Sequence, residues 1–278
     1  MGNEHNFDAI VIGAGFGGIY ALHKLRNEQG MKVRAFEKGA GIGGTWYFNR
    51  YPGAKSDTEG FVYRYSFDKD LLRDYSWPTR YLDQSHILEY LNHVVDRFDL
   101  RRDIQLNTEV TAAHFDETRN LWVVRTAAGE EFTARYLINA LGLLAKSNIP
   151  DIPGRGTFAG IQVHTNAWPK DLDITGKRVG VIGTGSTGTQ FIVAAARMAS
   201  HLTVFQRSAQ YCVPSGNGPV DPAEVRKTKE QFDTIWGQVR KSLVGFGFEE
   251  STISALSVSP EERNRIFQEN WDLSLIHI

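Results

Sequence analysis

Short apolar runs alternate with glycine-rich turns and amphipathic stretches, and one such arrangement occurs twice. Phe7-Asp-Ala-Ile-Val-Ile12 has the composition of a strand buried on both faces of a parallel sheet. Gly13-Ala-Gly-Phe-Gly-Gly18 follows, then a helical pattern to about Gln29 closed by Gly30; residues 31–37 predict the second strand of a βαβ unit. The order returns as Arg178-Val-Gly-Val-Ile182, the turn Gly183-Thr-Gly-Ser-Thr-Gly188, a helix to about Ala199 and a strand over 202–205. Shorter repeats and low-complexity tracts are absent from the sequence.

Between the two units, residues 85–98 place Ile87, Leu88, Leu91, Val94, Val95 and Phe98 at helical spacing. Residues 104–110, 112–116, 121–125 and 131–136 alternate or are rich in β-branched and aromatic side chains. With Gly129 in a turn, they predict a small antiparallel insertion. Residues 136–141 read as a strand returning to the first sheet, and Pro150, Pro153 and Gly154 punctuate the crossing to a second domain. Helices are expected over 223–243 and 260–271. The expected fold is α/β, with two dinucleotide-binding (Rossmann-like) domains, residues 1–148 and 149–278, and the antiparallel insertion in the first.

Composition narrows the chemistry. A formal charge of -1 gives no basic field for nucleic acid or an anionic membrane. No apolar run approaches the roughly 18 residues of a spanning helix. Residues 1–8 are polar without a signal-peptide pattern, so the expected compartment is the cytoplasm. The single cysteine, Cys212, excludes a disulfide framework, a cysteine-based zinc site and dithiol chemistry within this sequence, and no metal site is expected.

Each glycine-rich turn sits between a strand and a helix, the context in which the motif carries physical meaning. The first glycine permits a tight turn, the second lets backbone approach a pyrophosphate, and the third allows close helix–strand packing. The helix N-terminus then faces the phosphate charge. The candidate contacts are Gly13, Gly15 and Gly18 in the first unit, and Gly183, Gly185, Ser186, Thr187 and Gly188 in the second. Glu37 and Arg207 each stand 24 residues after the first glycine of their unit. A carboxylate there accepts from both ribose hydroxyls and repels a 2′-phosphate, whereas a guanidinium pairs with that phosphate. The first site is therefore expected to hold the adenosine of FAD, and the second to prefer NADPH over NADH.

Two further stretches carry a resemblance. Gly43-Gly-Thr-Trp-Tyr-Phe-Asn-Arg-Tyr-Pro-Gly-Ala-Lys-Ser-Asp57 fits [AG]-G-x-W-x4-[FY]-P-[GM]-x3-D, and Phe158-Ala-Gly-Ile-Gln-Val-His-Thr-Asn-Ala-Trp-Pro169 fits F-x-G-x3-H-x3-W-P. In the order FAD turn, first stretch, fingerprint and second turn ending in Thr189-Gln190, the chain resembles the flavin-dependent Baeyer–Villiger monooxygenases from Phe7 to about Trp271. The resemblance implies FAD reduced by NADPH, capture of O2 as a C4a-peroxyflavin, and oxygen insertion beside a ketone to give an ester or lactone. It implies that Gly44, Thr45, Trp46, Tyr51 and Asp57 line the flavin, with Asp57 holding an active-site arginine. It further implies that His164 and Trp168 couple NADPH binding to domain movement, and that Gln190 belongs to the NADPH site. Taken singly, Trp46, Tyr51 and Trp168 read as packing aromatics, His164 as a structural histidine and Asp57 as a turn or cap residue. Their joint spacing favours the functional reading.

Departures from the family pattern set further expectations. The pattern continues for about as many residues again, and the active-site arginine is expected in that portion. The last residues, 273–278, do not resemble the family and read as translated sequencing adapter, so a truncated frame with an exposed sheet edge, and no turnover by the fragment, is expected. The competing readings are a flavin monooxygenase acting on nitrogen or sulfur, disfavoured by Ala167-Trp168-Pro169, and a non-catalytic nucleotide-binding module. A disulfide reductase is a third, disfavoured by the lone cysteine. The ketone and the oligomeric state are not legible.

Overall fold

A computed structural model describes residues 6–210, 212, 214–242, 245 and 252–272. The elements in chain order are β1 (Phe7–Ile12), α1 (Phe16–His23), β2 (Val33–Phe36), α2 (Thr45–Phe48), β3 (Lys55–Glu59), α3 (Lys69–Asp74), β4 (Tyr81–Asp83) and α4 (Gln84–Arg97). They continue as β5 (Ile104–Gln105), β6 (Val110–Asp116), β7 (Leu121–Thr126), β8 (Glu131–Asn139), β9 (Arg178–Ile182), α5 (Ser186–Met198), β10 (His201–Phe205), α6 (Pro222–Glu230), α7 (Phe232–Val239) and α8 (Pro260–Asp272). No helix among the described residues is long and apolar enough to cross a membrane.

The chain divides into two compact units: Met1–Pro52 with Gln84–Asp173, and Gly53–Asp83 with Ile174–Ile278. The sequence reading makes a single cut at 148/149. In the structure, the segment 53–83 joins the later unit, because β3 and β4 pair with each other and are held by residues of the second half.

In the first unit a six-stranded sheet runs β5-β2-β1-β8-β7-β6. Strand β1 lies parallel to β2, with Ile10 beside Arg34, and parallel to β8, with Ile10 beside Leu137. Strands β6, β7 and β8 are antiparallel. The predicted antiparallel insertion, β6 to β8, is continuous with the parallel strands. Residues 131–139 form one strand that pairs with β7 on one edge and β1 on the other, and Ile10, Phe36, Val124 and Ala134 share one buried cluster. The first 3.6-period pattern forms α1 and then widens into a π-helical turn, Lys24–Glu28. Arg26 in that turn pairs with Asp103 at 2.8 Å and donates to the carbonyls of Asp99 and Phe98. Helix α4 buries Ile87, Leu91, Val94 and Val95 completely, as the spacing predicts.

In the second unit β9 and β10 are parallel and joined through α5. The β3–β4 ribbon, which the sequence reading leaves unassigned, is antiparallel with an irregular register. Asn217 clamps it by accepting from Tyr81 N at 2.9 Å and donating to Tyr81 O at 3.1 Å. Trp77 packs between Phe232 and the buried Arg64 guanidinium, which lies 4.6 Å from the indole centroid. The single helix expected over 223–243 is two, α6 and α7, parted at Gln231, whose N–H bonds back only to Thr228; Leu243 lies outside the described residues. Large apolar side chains stand exposed in both units, among them Leu143 and Leu144 in the first and Ile182 and Phe205 in the second.

Removing core volume from α4 tests this packing. Leu91→Ala is expected to cost about 2–5 kcal/mol and Glu89→Ala, on the exposed face, to be near neutral, as read from urea unfolding midpoints.

Candidate nucleotide sites

The first turn is shaped by backbone contacts. Gly13 N donates to Phe36 O at 2.8 Å, locking the end of β1 to the end of β2. A Cβ on Gly18 would sit 1.9 Å from Gly13 O, so only glycine lets α1 start this close to the strand. Gly15 precedes the first residue of α1, and no side chain caps that helix. Its N-terminal N–H groups and dipole form the anion-binding feature expected of this motif. Glu37 is buried, with Oε2 accepting from Ala14 N and Oε1 from Gly39 N, each at 2.8 Å. A carboxylate offers about four acceptor sites, so two remain for a ribose.

The Gly43–Tyr51 part of the first family stretch and the fingerprint, more than 100 residues apart, meet in this unit. Gly44, at φ 54°, brings its backbone against Gly15: a Cβ there would stand 2.9 Å from Gly15 Cα. Thr45 opens α2, Trp46 and Tyr51 are buried, and the Trp46 carbonyl accepts from Gln84 Nε2. The turn Thr165–Ala167 lies against α2, with His164 at its N-cap. His164 Nδ1 is 2.8 Å from Asn166 Oδ1, which accepts from Ser147 Oγ at 2.5 Å. His164 Nδ1 also accepts from Asn166 N at 3.3 Å, the contact that caps the turn. Trp168 follows the turn, half-buried.

The second turn repeats the first within its own unit. Gly183 N donates to Phe205 O at 2.9 Å, and a Cβ on Gly188 would sit 2.3 Å from Gly183 O. A Cβ on Gly183 or Gly185 would meet nothing within 4 Å, so the backbone here stands open to a phosphate. Ser186 and Thr187 are exposed in the first turn of α5. The hydrogen bonds correct the register read from the sequence. Gly13 bonds the residue just before Glu37, but Gly183 bonds the residue just before Gln206. Gln206 is therefore the backbone counterpart of Glu37, and its Nε2 reaches Thr184 Oγ1 at 3.2 Å, as Glu37 reaches Ala14. Arg207 stands one residue further, exposed and past the end of β10.

Asp57 lies on β3 in the second unit and accepts from Gln190 Nε2 at 2.7 Å. Close by, Tyr81 is buried, and burial pushes its phenol up; Arg80 opposes the rise, while Glu59 and Asp57 add to it. The group remains a neutral phenol at physiological pH. Among the described residues no group of three or more His, Cys, Asp or Glu is arranged to hold a metal ion.

The two turns repeat one geometry, with Glu37 beyond the second strand of one unit and Arg207 beyond that of the other. The profile of the pyridine nucleotide-disulphide oxidoreductase family matches residues 7–231. The chain belongs to that family. Its relatives bear out the Baeyer–Villiger resemblance. It is 57% identical over 266 residues to a Baeyer-Villiger monooxygenase of Pseudooceanicola batsensis, covering 96% of this chain and 49% of the relative. It is 59% identical over 271 residues to a phenazine N-monooxygenase of Lysobacter antibioticus, covering 98% of this chain and 50% of the relative. The crystal structure of cyclohexanone monooxygenase from Rhodococcus sp. Phi1 bound to NADP+ superimposes with a TM-score of 0.92 at 60% identity, covering 96% of this chain and 50% of that one. The chain spans about half the length of the curated relatives it matches. The family name includes disulphide chemistry, but this sequence holds a single cysteine, Cys212, which is exposed.

Sequence reasoning misses Gln84, Ser147, Asn166 and Gln206, whose partners are set by the fold and not by a motif. Asn166 lies inside the fingerprint, and its short spacing from His164 is the one signal that could have singled it out. Glu37→Gln tests the first turn: the new NH2 must face one of two backbone N–H donors. We expect a loss of about 1–3 kcal/mol in urea unfolding and a lower flavin-to-protein absorbance ratio after purification.

Proposed function

We propose that this chain is the nucleotide-binding part of an FAD- and NADPH-dependent monooxygenase that inserts one atom of O2 beside a ketone carbonyl. The observation that carries the reading is the pair of duplicated turns with opposite charges beyond their second strands, Glu37 in one unit and Arg207 in the other. FAD, when bound, supplies the redox and oxygen chemistry, and NADPH supplies the hydride. The protein's part is binding and orientation. The N-terminus of α1 and the remaining lone pairs of Glu37 receive the pyrophosphate and ribose of FAD. Gly183, Gly185, Ser186 and Thr187 receive the pyrophosphate of NADPH, and Arg207 receives its 2′-phosphate. Gly44, Thr45, Trp46 and Tyr51 form the wall offered to the flavin. His164, capping its turn, and Trp168 after it we assign to responding to NADPH.

A second reading follows from one relative. High identity to a phenazine N-monooxygenase and to a Baeyer-Villiger monooxygenase alike indicates that these residues do not choose the substrate. The choice between a ketone and a ring nitrogen then falls to other parts of the whole protein.

The experiment joins this chain to the C-terminal half of a homologue and follows NADPH oxidation with a panel of ketones and heteroaromatic amines. Ester or lactone formed in step with NADPH consumption is the expected result. N-oxides alone would favour the second reading, and hydrogen peroxide alone would overturn both. In the same protein Arg207→Ala is expected to weaken NADPH binding roughly tenfold to a hundredfold, through loss of a charge-assisted hydrogen bond, and to leave NADH little changed.

A further inference from the structure

Gln190 sits on α5 one turn beyond Ser186, behind the second glycine turn. Its Nε2 donates to the Lys55 carbonyl at 3.0 Å and to Asp57 Oδ1 at 2.7 Å, while its Oε1 accepts from the Lys55 N–H at 3.2 Å. A side-chain amide has two N–H donors, and both are committed to β3. The backbone closes on the same point: a Cβ on Gly53 would sit 2.8 Å from Gln190 O. Gln190 thus pairs with Lys55 much as a neighbouring strand would, and extends the pairing to a carboxylate. The motif assigns Gln190 to the nucleotide, yet its donors point at the ribbon.

We propose that Gln190 is a positioning residue that fixes the Asp57 carboxylate to the helix carrying the second nucleotide turn, so that nucleotide bound at the turn is felt at Asp57. The proposal rests on the reading above, which puts NADPH at that turn, and on the role in turnover that the family resemblance implies for Asp57. Several features make the coupling short. Gln190 follows Ser186 by four residues on the same helix face, and its bonds to Lys55 cover both the N–H and the C=O of that residue. A shift of α5 on nucleotide binding cannot leave β3 behind without breaking three hydrogen bonds.

The test uses the same fusion to a homologue's C-terminal half, loaded with flavin, as parent and as the variants Gln190→Met and Gln190→Glu. Hydrogen exchange of the Lys55 amide is expected to slow on adding NADP+ in the parent and not in Gln190→Met. NADP+ affinity in that variant should stay within about threefold of the parent, as for loss of no more than a single neutral hydrogen bond. Turnover should fall roughly tenfold to a hundredfold with little change in KM for NADPH, because a hydrogen bond to a charged group is lost. Gln190→Glu sets a second carboxylate against Asp57; the two share a proton as pH falls, restoring a donor, so its deficit should narrow at low pH. A merely structural glutamine would show no such pH-dependent recovery. NADP+ affinity falling in step with turnover would return Gln190 to the nucleotide site and overturn the proposal, as would NADP+-induced protection of Lys55 that persists in Gln190→Met. A parent protein that oxygenates nothing would defeat the monooxygenase reading, leaving exchange and affinity to decide the proposal.

Discussion

The contact of one glycine Cα with the carbonyl oxygen of another sets the geometry of both nucleotide turns. At Gly18 against Gly13, and again at Gly188 against Gly183, no side chain can be interposed. The helix therefore starts directly over the end of its strand. From that contact follow the uncapped N–H groups at Gly15 and Gly185, the dipole aimed out of the turn, and the hydrogen bond from each first glycine to the end of the second strand. The same device occurs in two units that differ in nearly everything else around it.

What distinguishes the units is the chemistry added to this scaffold. In the first, Glu37 is held by two backbone donors, so its carboxylate is oriented before any ligand arrives. In the second, the corresponding backbone position holds the uncharged Gln206, and the charge moves one residue out to the exposed Arg207. A buried acceptor suits a ribose hydroxyl and an exposed guanidinium suits a phosphate, which carries its own hydration and charge. The Asp57 ribbon belongs to the second unit although its sequence continues directly from the Gly43–Tyr51 stretch of the first. One continuous family signature thus serves two bodies, parted at Pro52-Gly53.

Much of this was legible in the sequence. Periodicity located β1, α4 and α5, because each buries a face at regular spacing, and glycine spacing located both turns. Joint motif spacing also led to the family. The antiparallel insertion was legible, but not its continuity with the first sheet through β8, which depends on Ile10, Phe36, Val124 and Ala134 meeting in space. The split helix at Gln231 depends on a single local turn that propensity does not mark. Offset counting aligned Arg207 with Glu37, but β10 ends one residue earlier relative to its glycine than β2 does, which only the hydrogen bonds reveal. The Gln190–Asp57 bond joins residues 133 apart in sequence, and no spacing rule reaches that far. Residues 273–278, read as foreign to the family, lie outside the described residues.

The central claim is that the two glycine turns are separate sites for two different nucleotides. The most direct measurement is equilibrium binding of FAD and NADP+ to the parent, to Gly18→Ala and to Gly188→Ala, with circular dichroism confirming that each is folded. The account predicts that Gly18→Ala loses FAD and keeps NADP+, and that Gly188→Ala does the reverse. Folded variants that lose both nucleotides together, or neither, would contradict it.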